Sequence, residues 1–130
     1  MKNIRIEATE RSPNVDFNFV DGKLAMGGES YPEDASAFFG PIVQAIRDFI
    51  GSLGSGKEVV FDLDFAYFNS SSAKALMNIF QLLEEAGEKG IKISINWHYQ
   101  DGDDTMEEFG EDFAEDMEFI TFKLCPRNSQ

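Results

Sequence analysis

Three consecutive hydroxyls, Ser70, Ser71 and Ser72, follow Asn69 at a point where the hydropathy pattern changes its period. A hydroxyl at a helix start lies beside unpaired backbone N–H groups and the positive end of the helix dipole. Such a place suits a negative charge, including a phosphate added to the hydroxyl itself. Helix capping accounts for the spacing unaided. Three adjacent hydroxyls exceed what a cap needs, so a modification site stays open beside that reading.

Four other constellations carry chemistry. Asp62 and Asp64 stand two apart in an alternating stretch and so share one face of a strand. With His98, the chain's one histidine, either could form the acid–base pair of a small hydrolase. Exposed strand carboxylates and a partly buried strand-end histidine are the commoner arrangement, and nothing in the sequence supplies a substrate pocket. Cys125 has no paired base visible in the sequence, so a Cys–His nucleophile pair has no supporting motif. Between Asp101 and Glu118 there are 10 acidic residues and no basic one. That run reads as a solvated face, or as an acidic docking surface carried by Glu107, Glu108, Glu111 and Asp112. It is not a calcium loop: the sixth position from Asp101 is Met106 where the turn needs glycine, and the twelfth is Asp112. A single histidine and a single cysteine form no metal cluster, and Gly27-Gly28 and the glycines from Gly51 to Gly56 follow no phosphate-loop pattern. No metal and no cofactor are expected.

The elements that position these residues follow from periodicity. Val59, Phe61, Leu63 and Phe65 alternate with polar residues as a strand, and the apolar set then shifts to Leu76, Ile79, Phe80 and Leu83 as a helix starting within Asn69 to Ala73. Upstream, Ile4 to Ala8 reads as a short strand. Asn14 to Val20 and Lys23 to Gly28 read as a hairpin around a two-residue Asp21-Gly22 turn. Phe38, Phe39, Ile42, Ile46, Phe49, Ile50 and Leu53 mark a helix capped by Asp34 or Ser36. Pro41 falls near its beginning, so that helix starts later than Asp34 or bends. Ile91 to His98 alternates as a strand, Thr105 to Glu115 reads as a helix, and Ile120 to Leu124 as a last strand, with residues 125–130 a polar tail. The order predicts one α/β domain over residues 1–130, a mixed sheet with helices mainly on one face.

The composition narrows the setting. The 130 residues include 13 Phe, enough for a sizeable core. The net charge of −13, from 24 acidic and 11 basic residues, opposes binding to nucleic acid or anionic membrane. No apolar run is long enough to span a bilayer, the first residues lack the apolar centre of a signal peptide, and one cysteine allows no internal disulfide. A cytoplasmic protein is expected.

Several segments together, namely Ser30-Tyr31-Pro32-Glu33-Asp34, Phe38-Phe39, Tyr67-Phe68-Asn69-Ser70-Ser71-Ser72-Ala73-Lys74 and Trp97-His98-Tyr99 with Met106, Gly110, Glu111 and Asp112, resemble the SiaC family of bacterial regulatory phosphoproteins. The resemblance implies a fold similar to STAS domains and a role in a partner switch. A Ser/Thr kinase adds phosphate at the strand-to-helix turn, and a PP2C-type phosphatase removes it. The unmodified form is implied to bind and activate a diguanylate cyclase, raising cyclic di-GMP. The family's phosphoacceptor falls on Ser70. The family often has Thr there, and in this chain Ser71 competes. The implied contact surface is Asn69, Ser70, Ser71, Ser72 and Lys74, with Tyr31 and Tyr67. The expectation is therefore a non-enzymatic switch, against a His98-dependent hydrolase or a constitutive acidic adaptor.

Overall fold

The structure is a computed structural model and describes residues 2–128. Met1, Ser129 and Gln130, the last two being the end of the expected tail, lie outside the described residues. The elements are β1 (Ile4–Ile6), β2 (Asn14–Asn18), β3 (Lys23–Ser30), α1 (Ala35–Ser52), β4 (Glu58–Phe68), α2 (Ser70–Glu88), β5 (Lys92–Gln100), α3 (Asp104–Glu115) and β6 (Thr121–Arg127). They form one six-stranded sheet in the order β1-β2-β3-β4-β5-β6. The first two pairings are antiparallel and the last three parallel, each parallel step carrying a helix. The expected mixed α/β sheet is what forms.

Alternation decides the two faces. Phe61, Leu63, Ile93, Ile95, Trp97, Val15, Phe17, Leu24 and Met26 point to one side and are buried beneath the helices. Asp62, Asp64, Asn96 and His98 point to the other, half-exposed side. Phe39, Ile42, Ile46 and Phe49 of α1 and Leu76, Ile79, Phe80 and Leu83 of α2 join the same core. Trp97 is its hub. The rings of Phe65, Phe68, Phe80, Phe113 and Phe122 surround it, and its Nε1 donates to the Met106 carbonyl at 2.9 Å. Gly110 lets α3 approach this closely: a Cβ there would lie 2.5 Å from Trp97 Cδ1 and would overlap Leu124.

Several boundaries differ from the sequence reading, each for a local reason. The hairpin closes at Asn18 and Lys23, leaving the four-residue loop 19–22 in place of a two-residue turn. Asn18 and Asp21 exchange two hydrogen bonds of 3.0 Å across it, and Phe19 turns inward against Phe49. Helix α1 starts at Ala35, capped by the Asp34 carboxylate, and carries Pro41 inside it. Strand β6 runs on through Cys125, Pro126 and Arg127, so these residues belong to the sheet and not to a tail. Proline is tolerated there because β6 is an edge strand.

The end of β4 is displaced by a bulge. Gly28 pairs with Phe65 but Glu29 pairs with Tyr67, so Ala66 is the extra residue. Beyond it the alternation shifts: Phe68 is buried and Tyr67 points outward.

Candidate functional site

The chain leaves β4 at Phe68 and enters α2 at Ser70 in a single step. Asn69 is the N-cap, with extended backbone, and its Oδ1 accepts from Ser72 N at 3.0 Å. Its own N–H donates to the Ser30 carbonyl at 3.0 Å. The cap role therefore falls to Asn69, and the serines are free for other work.

The three serines do three different things. Ser70, the first helical residue, is exposed. Ser71 is also exposed and lines a groove of about 540 Å³ between α1 and α2, which it shares with Lys74 and Arg47. Ser72 is 0% exposed; its Oγ donates to the Ser30 carbonyl at 3.0 Å and lies 2.8 Å from Ser30 Oγ. The sequence reading includes Ser72 in the contact surface, and the structure removes it. At 100° per residue, Ser72 turns from the open side of the helix into the β3–α2 junction.

Around the turn the exposed groups converge. Tyr67 is 48% exposed, and its ring meets that of Tyr31 edge to face at 5.9 Å. Lys74 lies one turn beyond Ser70 at the i+4 position, exposed, where a helical cation reaches an anion on residue i. Ser70 and Lys74 thus share one side of α2, the Tyr31–Tyr67 pair stands by the end of β4, and Ser71 lies toward α1.

The acidic residues of the expected docking face lie on α3. Glu107 is turned toward β5, where its Oε2 accepts from the Tyr99 hydroxyl at 3.0 Å. Burial pushes the Tyr99 phenol above its usual value, and the Glu107 hydrogen bond and charge, with the charges of Asp101 and Glu111, push the same way. Glu108 and Glu111 are exposed, and Asp112 lines a different groove, between α2 and α3. All four stand on α3, three of them exposed and Glu107 half-buried against Tyr99.

On the open sheet face His98 Nε2 and Asp62 Oδ1 lie 3.0 Å apart, and Asn96 Nδ2 donates to the same oxygen at 2.9 Å. Asp64 instead pairs with Arg127 at 2.9 Å. The depression they share with Gly27 and Gly28 is an open one of about 480 Å³ with no hydroxyl or thiol in its lining. Cys125 stands beside His98 in the β5–β6 register, but its Sγ points to the Lys123 carbonyl at 3.8 Å. Among the described residues no group of three or more His, Cys, Asp or Glu is arranged to hold a metal, and no helix is long and apolar enough to cross a membrane.

Two features escaped sequence reasoning. Glu84 of α2 accepts from Glu118 N at 2.6 Å and Phe119 N at 2.9 Å, tying α2 to the α3–β6 connection. Met77 is 58% exposed beside the α2–α3 groove. Its place at i+4 from Ala73 and three residues before the buried Phe80 was the available signal.

Fold and turn together define a small α/β module whose most accessible chemistry is a hydroxyl at a helix start. The chain belongs to the SiaC family: residues 6–127 match the model of the SiaC family regulatory phosphoproteins. It is 34% identical over 119 residues, 92% of its length and 93% of the relative's, to an uncharacterised protein of Pseudomonas aeruginosa strain UCBPP-PA14. It is similar to apo-SiaC from Pseudomonas aeruginosa, with TM-score 0.84 and 32% identity, covering 98% of this chain and 99% of that one. It is equally similar to the SiaC chain in the crystal structure of the diguanylate cyclase SiaD in complex with its activator SiaC, from the same organism. There the TM-score is 0.84, the identity 32% and the coverage 97% and 99%.

Proposed function

We propose that this chain is a non-enzymatic cytoplasmic partner switch whose unphosphorylated form binds and activates a diguanylate cyclase. In this reading a Ser/Thr kinase adds phosphate to Ser70, and a PP2C-type phosphatase removes it. The likeness to a SiaC chain that is the activator of a diguanylate cyclase supports the choice of effector. The observation that carries the switch is the position of Ser70: exposed, first in α2, three residues after Tyr67, whose ring meets Tyr31, and one turn before Lys74. A phosphate there adds about 1.5 to 2 negative charges near pH 7, together with a strongly held hydration shell. The free helix start tolerates this charge, so the fold survives. A partner docked over the two tyrosines would have to bury the phosphate, which is costly without a matching cation. Lys74, at i+4, is placed to pair with the phosphate within the chain and is then withdrawn from the partner. The formal charge of −13 argues against nucleic acid or anionic membrane as the partner.

The test is incubation with the cognate kinase and MgATP, followed by intact-mass analysis and measurement of cyclic di-GMP formation by the cognate cyclase. Wild type gains one phosphate and loses its stimulation of the cyclase, while Ser70→Ala gains none and stimulates throughout. Phosphate on Ser71 in the Ser70→Ala variant moves the site. Undiminished stimulation by the phosphorylated wild type removes the mechanism.

The His98–Asp62 contact favours a second reading, a hydrolase on the open sheet face. That reading has an oriented histidine but no nucleophile in the depression. Hydrolysis of generic ester substrates that disappears in His98→Ala would restore it.

A further inference from the structure

An apolar concavity begins at Ala73, one turn along α2 from Ser70. It runs between α2 and α3, has a volume of about 690 Å³, and has Phe109, Phe113 and Met117 on one side and Met77 on the other. Along α2 it extends from Ala73 to Glu84, about 16 Å at 1.5 Å per residue, the length of three helical turns. Phe109 and Phe113 stack at 6.3 Å, and Phe109 also packs on Phe68, so the apolar wall is rigidly backed by the core. Asp112, Glu115 and Asp116 form the rim. None of these three is in an ion pair among the described residues, and no Lys or Arg lines the groove.

We propose that this groove is a second docking surface, and that its occupant is an amphipathic partner helix with an apolar stripe and flanking Lys or Arg residues. An apolar channel three turns long accepts the i, i+3/i+4, i+7 side chains of such a helix. The unpaired carboxylates on the rim select basic flanks and speed their encounter. The same charge argues against a second copy of this chain, which would bring its own acidic rim against this one.

Ser70 lies on the same side of α2 as Met77, two turns away. A phosphate at Ser70 has the sign that attracts a basic helix. This groove is therefore not the surface that phosphorylation closes, and it holds a partner while the turn releases another. This last point rests on the proposed switch; the groove itself does not.

The chain supplies its own reporters. Met77 and Met117 line the groove, whereas Met26 and Met106 are buried in the core. The probe is a synthetic amphipathic helix with a Leu stripe and Lys flanks, titrated into methyl-labelled full-length protein and followed by NMR. The Met77 and Met117 signals shift while those of Met26 and Met106 stay, and binding weakens as salt rises. A peptide with the same stripe but Glu flanks binds on the order of tenfold more weakly, the combined effect expected of three exposed ion pairs. Met77→Glu, at an exposed position where folding is not at risk, abolishes the shift at Met117. Kinase-treated protein binds the Lys peptide as well as or better than untreated protein. Shifts at neither methionine, equal binding of the Glu peptide, or an intact Met117 shift in Met77→Glu overturns the groove. Weaker peptide binding after phosphorylation overturns only its independence from the switch, and loss of cyclase stimulation is read separately.

Discussion

Ser30 and Ser72 stand 42 residues apart in the chain, yet their hydroxyl oxygens lie 2.8 Å apart with neither residue exposed. The pair joins the end of β3 to the first turn of α2. Since Asn69 N and Ser72 Oγ both donate to the Ser30 carbonyl, the helix start is held by three hydrogen bonds to one residue. Ser70 is displayed on an anchored turn.

Ser72 is therefore a stability residue. Ser72→Ala leaves the Ser30 hydroxyl buried without that partner and should cost about 1–3 kcal/mol in urea melts. Ser72→Asp, which buries a carboxylate, should cost clearly more, whereas Ser70→Asp should be near neutral because an acidic residue suits a helix start. Equal losses for the two Asp variants would contradict the assignment of Ser70 as exposed and Ser72 as anchor.

Asn69 should carry the cap. Asn69→Ala should cost about 1 kcal/mol, within the usual cap range, and Asn69→Gly only a few tenths. Both are measured by thermal or urea unfolding. An Ala variant as stable as wild type would transfer the cap to a serine.

The approach of α3 depends on Gly110. Gly110→Ala forces a methyl against Trp97 and Leu124 and should destabilise by about 1–3 kcal/mol, with a change in Trp97 fluorescence as α3 is pushed outward. Phe80→Ala, by contrast, empties the core beneath Trp97 and should cost about 3–5 kcal/mol. A loss well under 1 kcal/mol for Phe80→Ala would place it on the wrong side of α2.

Tyr99 should give the fold an alkaline limit. Its phenol is raised above the usual 10.0 by burial first, then by Glu107. The folded state holds that proton more tightly than the unfolded chain does. The contribution is therefore whole below pH 10 and is lost as pH rises through the higher folded value. Stability followed by urea melts across that window should fall in wild type and fall less in Tyr99→Phe. Identical slopes would exclude the group.

The switch from period 2 to period 3.6 across Asn69-Ser70-Ser71-Ser72 was sufficient to place the strand end near Phe65 to Phe68 and the helix start within Asn69 to Ala73, and the structure has them at Phe68 and Ser70. Alternation likewise put Asp62 and Asp64 on one face, because both patterns are local geometry that each side chain reports directly. The three serines were indistinguishable at that level. Only the arrival of β3 beside α2, through the bulge at Ala66, makes Ser72 an anchor and leaves Ser70 outside. The same holds for the acidic segment. Its charge is a property of the chain, but whether a carboxylate meets Tyr99, as Glu107 does, or the α2–α3 groove, as Asp112 does, depends on how α3 packs over Trp97. Periodicity is set by neighbours in the chain, whereas exposure and partnership are set by residues dozens of positions away, and only the folded sheet brings those together.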